Sequence, residues 1–310
     1  MTKTHTPAAS FTDNQVTVFQ LDGQSVRGRS VQIGSELERA INAGADTQRY
    51  PDVVARLLGE AMMIGALVAR ALKFSGRLVV QCHGTNEGAI SLLMADCTTD
   101  GHIRGYARWD EDRLKEIKAD NRNPGAQTLL GGGTFSMTID QGPDMDQYQG
   151  LAAIEGESLS VCAEHYFAQS EQIPTKVRLA CGQVQVPGGK MEWRGGGMML
   201  QRIAQDTARA ATEDDWLTAQ SLFKTLSDAE LIDPDLPQAD LLYRLFHEGG
   251  VRVIETMPVD ANCRCSRERL LDAMKGFTPS ALEEMAEDGV ITANCEFCAS
   301  EYLFDPIDLK

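Results

Sequence analysis

Four thiols near the C-terminus carry the plainest chemistry in this chain: Cys263-Arg-Cys265 and Cys295-Glu-Phe-Cys298, with 29 residues between the inner cysteines. Zn²⁺ has no geometric preference from its d-electrons and accepts four thiolates as a closed tetrahedron. Two short-spaced pairs, brought together by folding, supply that tetrahedron. The same short spacings suit thiol–disulfide chemistry once a metal is gone. The residues alone therefore leave two readings open, a structural zinc clip and a redox-sensing site. Arg264, Arg267 and Arg269 flank the first pair. They offset the net negative charge of a zinc tetrathiolate and favour thiolate over thiol.

No other group competes with this cluster. Cys82, Cys97, Cys162 and Cys181 stand alone on or beside apparent strands and a helix, and are expected to be buried, inert thiols. Gly131-Gly132-Gly133 and Gly188-Gly189-Lys190 lack the Lys-Ser/Thr of a phosphate loop and read as turns. Gly195-Gly196-Gly197 reads as a turn into a helix. His247-Glu248 lacks the second histidine of a zinc-protease pair, and no Ser/His/Asp set emerges. Met62-Met63 and Met198-Met199-Leu200 read either as helix core or as an adaptable apolar surface for varied partners.

The elements that must position the thiols follow from pattern. Strands are expected over residues 16–19, 26–33, 78–82, 89–95, 103–109, 135–139, 177–179 and 183–186. Pro51 opens a strongly periodic helix that stops near Ser75-Gly76, and another runs over 159–172. Asp100-Gly101 is a hairpin turn. After Gly188-Gly189 the character changes: helices are expected over 198–211, over 216–226 behind a Thr212/Asp215 capping box, and over 241–247. A strand at 251–255 leads to the first cysteine pair. Ser266 caps a helix to residue 274, and Thr278-Pro279 starts one ending at Gly289. Short strands flank the second pair.

The expected fold class is α+β. It comprises an antiparallel-sheet domain with helices (1–190), a helical middle or linker region (191–256) and a small zinc-binding tail (257–310). The tail is too small to make a sufficient core alone, so a metal would supply folding energy.

The chain has 310 residues, 43% of them hydrophobic, a net charge of −16 and a pI near 4.7. That charge argues against nucleic-acid binding, which needs clustered Lys and Arg. Residues 1–14 show no signal or transit pattern, and no apolar run reaches the roughly 18 residues of a membrane span. The expected compartment is the cytoplasm, with no membrane partner.

These stretches together resemble the heat shock protein 33 family, redox-regulated bacterial holdase chaperones. The resemblance spans most of the chain. It rests on Val26-Arg-Gly-Arg29, Gly105-Tyr-Ala-Arg108, Thr138-Ile-Asp-Gln-Gly142, Tyr148-Gln-Gly150 and the long Glu164-His-Tyr-Phe-Ala-Gln-Ser-Glu-Gln-Ile-Pro-Thr175. Trp193-Arg-Gly-Gly-Gly-Met-Met-Leu-Gln201, Tyr243-Arg-Leu-Phe-His-Glu248, Cys263-Arg-Cys-Ser-Arg-Glu-Arg269 and Cys295-Glu-Phe-Cys298 complete it. Departures are a polar stretch before Val16, Gly132 in place of an expected Lys, and the four isolated cysteines.

The resemblance implies a non-enzymatic, ATP-independent chaperone. Reduced Cys263, Cys265, Cys295 and Cys298 would hold one zinc ion and keep it off. Oxidative and unfolding stress would pair Cys263 with Cys265 and Cys295 with Cys298. Zinc would then leave, and the tail and middle region would unfold. The active homodimer would hold unfolding client proteins. A Cys263–Cys265 bond closes a very small ring, and strained disulfides are the reducible, regulatory kind. Two other functions remain to be weighed: a static structural-zinc interaction module, and a thiol oxidoreductase using Cys295-x-x-Cys298.

Overall fold

An 18-residue helix that is apolar on every side must be surrounded, and it organises this molecule. The computed structural model describes residues 13–45, 49–73, 75–142, 145–203 and 213–305. In chain order the body begins with β1 (Gln15–Leu21), β2 (Val26–Ile33), α1 (Ser35–Ile41) and α2 (Asp52–Ala69). It continues with β3 (Arg77–His83), β4 (Ile90–Thr98), β5 (His102–Trp109), α3 (Glu111–Asp120) and α4 (Ala126–Leu130). Next come β6 (Thr134–Asp140), β7 (Tyr148–Ala153), α5 (Leu159–Tyr166) with a π-helical extension (Phe167–Glu171), β8 (Thr175–Gln185) and β9 (Met191–Arg202). The helices α6 (Glu213–Phe223), α7 (Asp228–Ile232) and α8 (Gln238–Phe246) follow. The chain closes with β10 (Val251–Pro258), β11 (Asp260–Ala261), α9 (Arg267–Met274), α10 (Pro279–Met285), β12 (Ile291–Asn294) and β13 (Glu301–Phe304).

Two sheets enclose α2. One has the order β10-β1-β2-β9-β8, the other β11-β5-β4-β3-β6-β7. All ladders are antiparallel except the short β11–β5 pairing. Every residue from Val53 to Ala69 except Arg56 is buried, and α2 packs against strands of both sheets. That explains its all-round apolar surface. One charge enters this core. The Glu60 carboxylate, 3% exposed, accepts from Ser158 Oγ (2.8 Å) and Leu159 N (2.9 Å) and pairs with Arg56 (3.3 Å). It thereby satisfies the first N–H of α5, which has no partner within the helix, and the hydroxyl of its N-cap serine.

The five-stranded sheet buries its second face too. Side chains alternate along a strand. Val31, Ile33 and Met199 accordingly face α2, while Phe19, Leu21, Val26, Met198 and Leu200 face outward. The middle helices cover those outward groups with Trp216, Phe223, Leu231, Leu241, Leu245 and Phe246. Polar pins hold this cover. Gln32 Nε2 donates to Asp233 O (3.0 Å), Ser30 Oγ to Gln238 Oε1 (3.2 Å), and Gln238 Nε2 to Gln15 O (3.1 Å). Ser227 and Glu230 form a capping box that starts α7.

The antiparallel α+β architecture matches the expectation, with corrections in detail. The helix expected from residue 198 is strand up to Arg202, inside β9; residues 204–212, and Thr212 of the expected capping box, lie outside the described residues. Gly195, Gly196 and Gly197 are in that strand as well, not in a turn. A Cβ on Gly196 would lie 2.0 Å from Leu231 O, so only glycine lets α7 seat this closely. The strands expected at 177–179 and 183–186 are one, β8. The helix expected to reach Gly289 ends at Met285, because Asp288 and Gly289 take positive φ in a turn. Met62 and Met63 are fully buried helix core.

Candidate metal centre

Short elements converge the four thiols. Cys263 and Cys265 sit in the extended link between β11 and α9, where the Ser266 side chain accepts from Arg269 N and fixes the helix start. Cys295 and Cys298 sit in the connection of the β12–β13 hairpin, closed by Cys295 N donating to Ser300 O (2.9 Å) and Ala299 N to Cys295 O (2.7 Å). Beneath them lies, among the described residues, a core of only four buried residues, Met274, Leu282, Ile291 and Phe304. A cluster this small contributes little by burial, so cross-links or a metal must supply stability.

The four sulfurs all lie within 4.8 Å of one another. Cys263 Sγ is 3.7 Å from Cys295 Sγ, and Cys265 Sγ is 3.3 Å from Cys298 Sγ. A tetrahedron with metal–sulfur bonds of about 2.3 Å has sulfur–sulfur edges of about 3.8 Å. The donor set and spacing thus fit a closed tetrathiolate site with no open coordination position. Burial and the neighbouring Cys263 push the Cys295 thiol up to about 12. Burial acts the same way on Cys298, but the Ser300 hydroxyl and amide and the adjacent thiols outweigh it, bringing that group down to about 6. Unlike thiols this close do not ionise together without a cation between them.

The centre is docked on the six-stranded sheet. The Asp96 carboxylate of β4 is completely buried and meets three guanidinium groups: Arg77 (3.5 Å), Arg104 (2.6 Å) and Arg264 (2.6 Å). Arg264 is the residue between Cys263 and Cys265. Arg104 also approaches Cys263 Sγ (3.6 Å) and lies 4.0 Å from the Phe297 ring centroid. Arg49 donates to the Phe297 and Glu296 carbonyls at 2.6 and 2.5 Å. Gly44, at φ +75°, leaves room for the Cys298 carbonyl, which would be 2.3 Å from any Cβ there.

The isolated cysteines behave differently. Cys82, Cys97, Cys162 and Cys181 are buried, and burial raises each pKa, so all four stay protonated. Cys97 and Cys181 pack where Gly65 and Gly59 let α2 approach their strands. Sequence reasoning singled out the thiols but missed their seat, Asp96, Arg104 and Arg49. Asp96 had a visible signal, since a carboxylate inside the apolar run Leu92-Leu93-Met94-Ala95-Asp96-Cys97 needs a buried partner. Arg49, in a loop, had none.

Comparison with known proteins decides the family. The family model described as Hsp33 protein matches residues 14–305. The chain belongs to the Hsp33 family. It is 46% identical over 301 residues to a 33 kDa chaperonin of Caulobacter vibrioides, covering 97% of each sequence. It is 36% identical over 296 residues to that of Pseudomonas aeruginosa, covering 94% of this chain and 91% of the relative. The crystal structure of the Thermotoga maritima 33 kDa chaperonin (heat shock protein 33 homolog) superposes with a TM-score of 0.76. At 22% identity, with 96% of this chain and 97% of the other covered, that likeness establishes the Hsp33 fold.

Proposed function

We propose that this chain is a redox-regulated, ATP-independent holdase chaperone that keeps unfolding client proteins from aggregating. The observation that carries the reading is the covered outer face of the five-stranded sheet. A contiguous apolar surface of Phe19, Leu21, Val26, Met198 and Leu200 lies beneath helices that end just before the cysteine unit. Such a contiguous apolar surface, once uncovered, is of the kind that binds other proteins. The family relatives bearing the name chaperonin support the same reading.

Cys263, Cys265, Cys295 and Cys298 hold one zinc ion in the resting state, and zinc supplies the folding energy that the four-residue core lacks. Under oxidative stress, two thiolates of each short pair give two electrons to peroxide, which is reduced to water. Cys263 joins Cys265, Cys295 joins Cys298, and the metal is released. The tail then unfolds, β10 loses its anchored end, and the middle helices leave the sheet. The working unit is a cytoplasmic homodimer without nucleic-acid or membrane partners. The net charge of −16 supports the first exclusion, and among the described residues no helix is long and apolar enough to cross a membrane.

The chain is read as a non-enzyme. Cys295-x-x-Cys298 occupies a hairpin connection, whereas oxidoreductase pairs of this spacing open a helix in a βαβ unit. The decisive test heats reduced, zinc-loaded protein with increasing peroxide. Metal release, free thiols and light scattering of a heat-unfolded client are followed on the same samples. Loss of four thiols with metal release and suppressed scattering is expected. Retained zinc, or release without suppression, leaves a static clip and rejects the holdase reading.

A further inference from the structure

The seat of the Cys295–Cys298 loop is chemically specific. Along β5, Ile103, Gly105 and Ala107 are buried inward, while Arg104, Tyr106 and Arg108 face out. β11 pairs only with His102 and Ile103, so among the described residues no neighbouring strand is paired beside the rest of β5 on that side. Into this seat the chain places Glu296-Phe297. The Phe297 ring lies under the Arg104 guanidinium and edge-on to Tyr106 (6.4 Å, 61°). The Glu296 carboxylate accepts from Tyr106 Oη (3.3 Å) and Arg108 Nη2 (3.5 Å), and Arg49 holds both backbone carbonyls. Beside it a cavity of about 240 Å³, lined by Arg49, Tyr50, Tyr106, Ala107, Arg108 and Trp109, extends the same basic, aromatic surface.

We propose that this face of β5 is a peptide-recognition site for segments that join a carboxylate to an aromatic ring, and that Glu296-Phe297 is its resident occupant in the closed molecule. The guanidinium groups of Arg49, Arg104 and Arg108 with the rings of Tyr50, Tyr106 and Trp109, gathered along one face, stand out on a chain of net charge −16. Their contacts recognise each part of the occupant: ring by cation–π, carboxylate by hydrogen bond and charge, backbone by the Arg49 fork. Departure of the tail removes Glu296-Phe297 and leaves the site to an acidic–aromatic stretch of a client. The inference rests on the opening proposed above, and it adds a polar, sequence-selective foothold to the apolar sheet face.

The probe is a fluorescein-labelled Ala-Asn-Ser-Glu-Phe-Ser-Ala peptide, residues 293–299 with serine in place of both cysteines. Its anisotropy is measured with full-length protein, reduced and zinc-loaded or peroxide-oxidised. The oxidised chain is expected to bind it and the reduced chain not. R49A/R108A, and a peptide with Gln-Leu in place of Glu-Phe, should each weaken binding at least tenfold. A second route needs no oxidation. In the reduced chain carrying E296A, F297A and R264Q, the resident keeps only its Arg49 backbone contacts and the cysteine unit has lost its Arg264–Asp96 anchor, so the labelled peptide should displace it and bind in trans. Equal binding of the Gln-Leu peptide, insensitivity to R49A/R108A, or no binding to the triple variant overturns the site. Zinc release and client scattering, read separately, judge the holdase reading, so the two fail independently.

Discussion

Asp96 shows how one buried residue ties two parts of the chain together. Its carboxylate is fully buried against Arg77 and Arg104 from the body and Arg264 from the cysteine unit. Removing one of three cations leaves the acid paired, whereas removing the acid leaves three cations crowded, and uncompensated buried charge costs about 3–5 kcal/mol. R264Q is therefore expected to leave the melting of the body nearly unchanged while speeding metal transfer to a chromogenic chelator about tenfold, the loss of one charged hydrogen bond. D96N is expected to lower the melting temperature of the body itself. Equal chelation rates in R264Q and wild type refute the coupling. Glu60 offers a second residue-scale test. Burial holds its acid group above the ordinary 4.5, with Arg56 and the start of α5 opposing. A raised acid favours folding fully below 4.5 and loses that contribution as pH rises through its folded value. E60Q keeps an acceptor for α5 and cannot ionise, so its stability relative to wild type should increase from pH 4.5 upward. Parallel melting curves across that range count against it.

At the scale of elements, the middle helices are held by shape as much as by apolar contact. Gly196 touches the Leu231 carbonyl, so G196V must push α7 off the sheet while β9 keeps its register. Faster hydrogen exchange in α7 and α8, unchanged exchange in α2 and greater binding of an apolar dye by reduced protein are expected. Unchanged α7 exchange rules this out. Phe246, 1% exposed and 5.8 Å from the Phe19 ring, anchors the other end of the cover. F246A should cost about 3–5 kcal/mol locally and release α8 first, visible in the same exchange experiment. These positions also show what the sequence could not reveal. Met198-Met199-Leu200 suggested a helix because three consecutive apolar residues fit any buried element; burial on both faces of the sheet erased the alternation that marks a strand. α2, by contrast, was legible from its length, its Pro51 start and its period. The thiol pairs were legible from spacing alone, because metal ligation demands residue type and reach. Of their seat only Asp96 left a signal, a charge within an apolar run; Arg104 and Arg49 meet the cysteine unit only across the folded chain.

The whole molecule divides its stability unevenly, and that unevenness is what a switch needs. The body wraps α2 in two sheets and holds most of the buried apolar residues, whereas the tail rests on four. Metal–thiolate binding contributes roughly 10–16 kcal/mol in small zinc units, at least as much as the about 6–12 kcal/mol that four buried side chains supply at about 1.5–3 kcal/mol each. Metal removal should therefore unfold the tail and spare the body. The three tryptophans report this directly. Trp193 is buried within the body and Trp216 of α6 is buried against the outer sheet face, while Trp109 is partly exposed on β5. If loss of the tail also frees β10 and the middle helices, oxidised, zinc-free protein should show a red shift in tryptophan emission that is absent from W216F. Amides of α2 and β3 should stay protected, and those of residues 263–305 should exchange fully. A red shift that persists in W216F places the change elsewhere. Full tail exchange with no shift at all means that the cover stays closed without the metal, and the link between thiols and apolar face is broken.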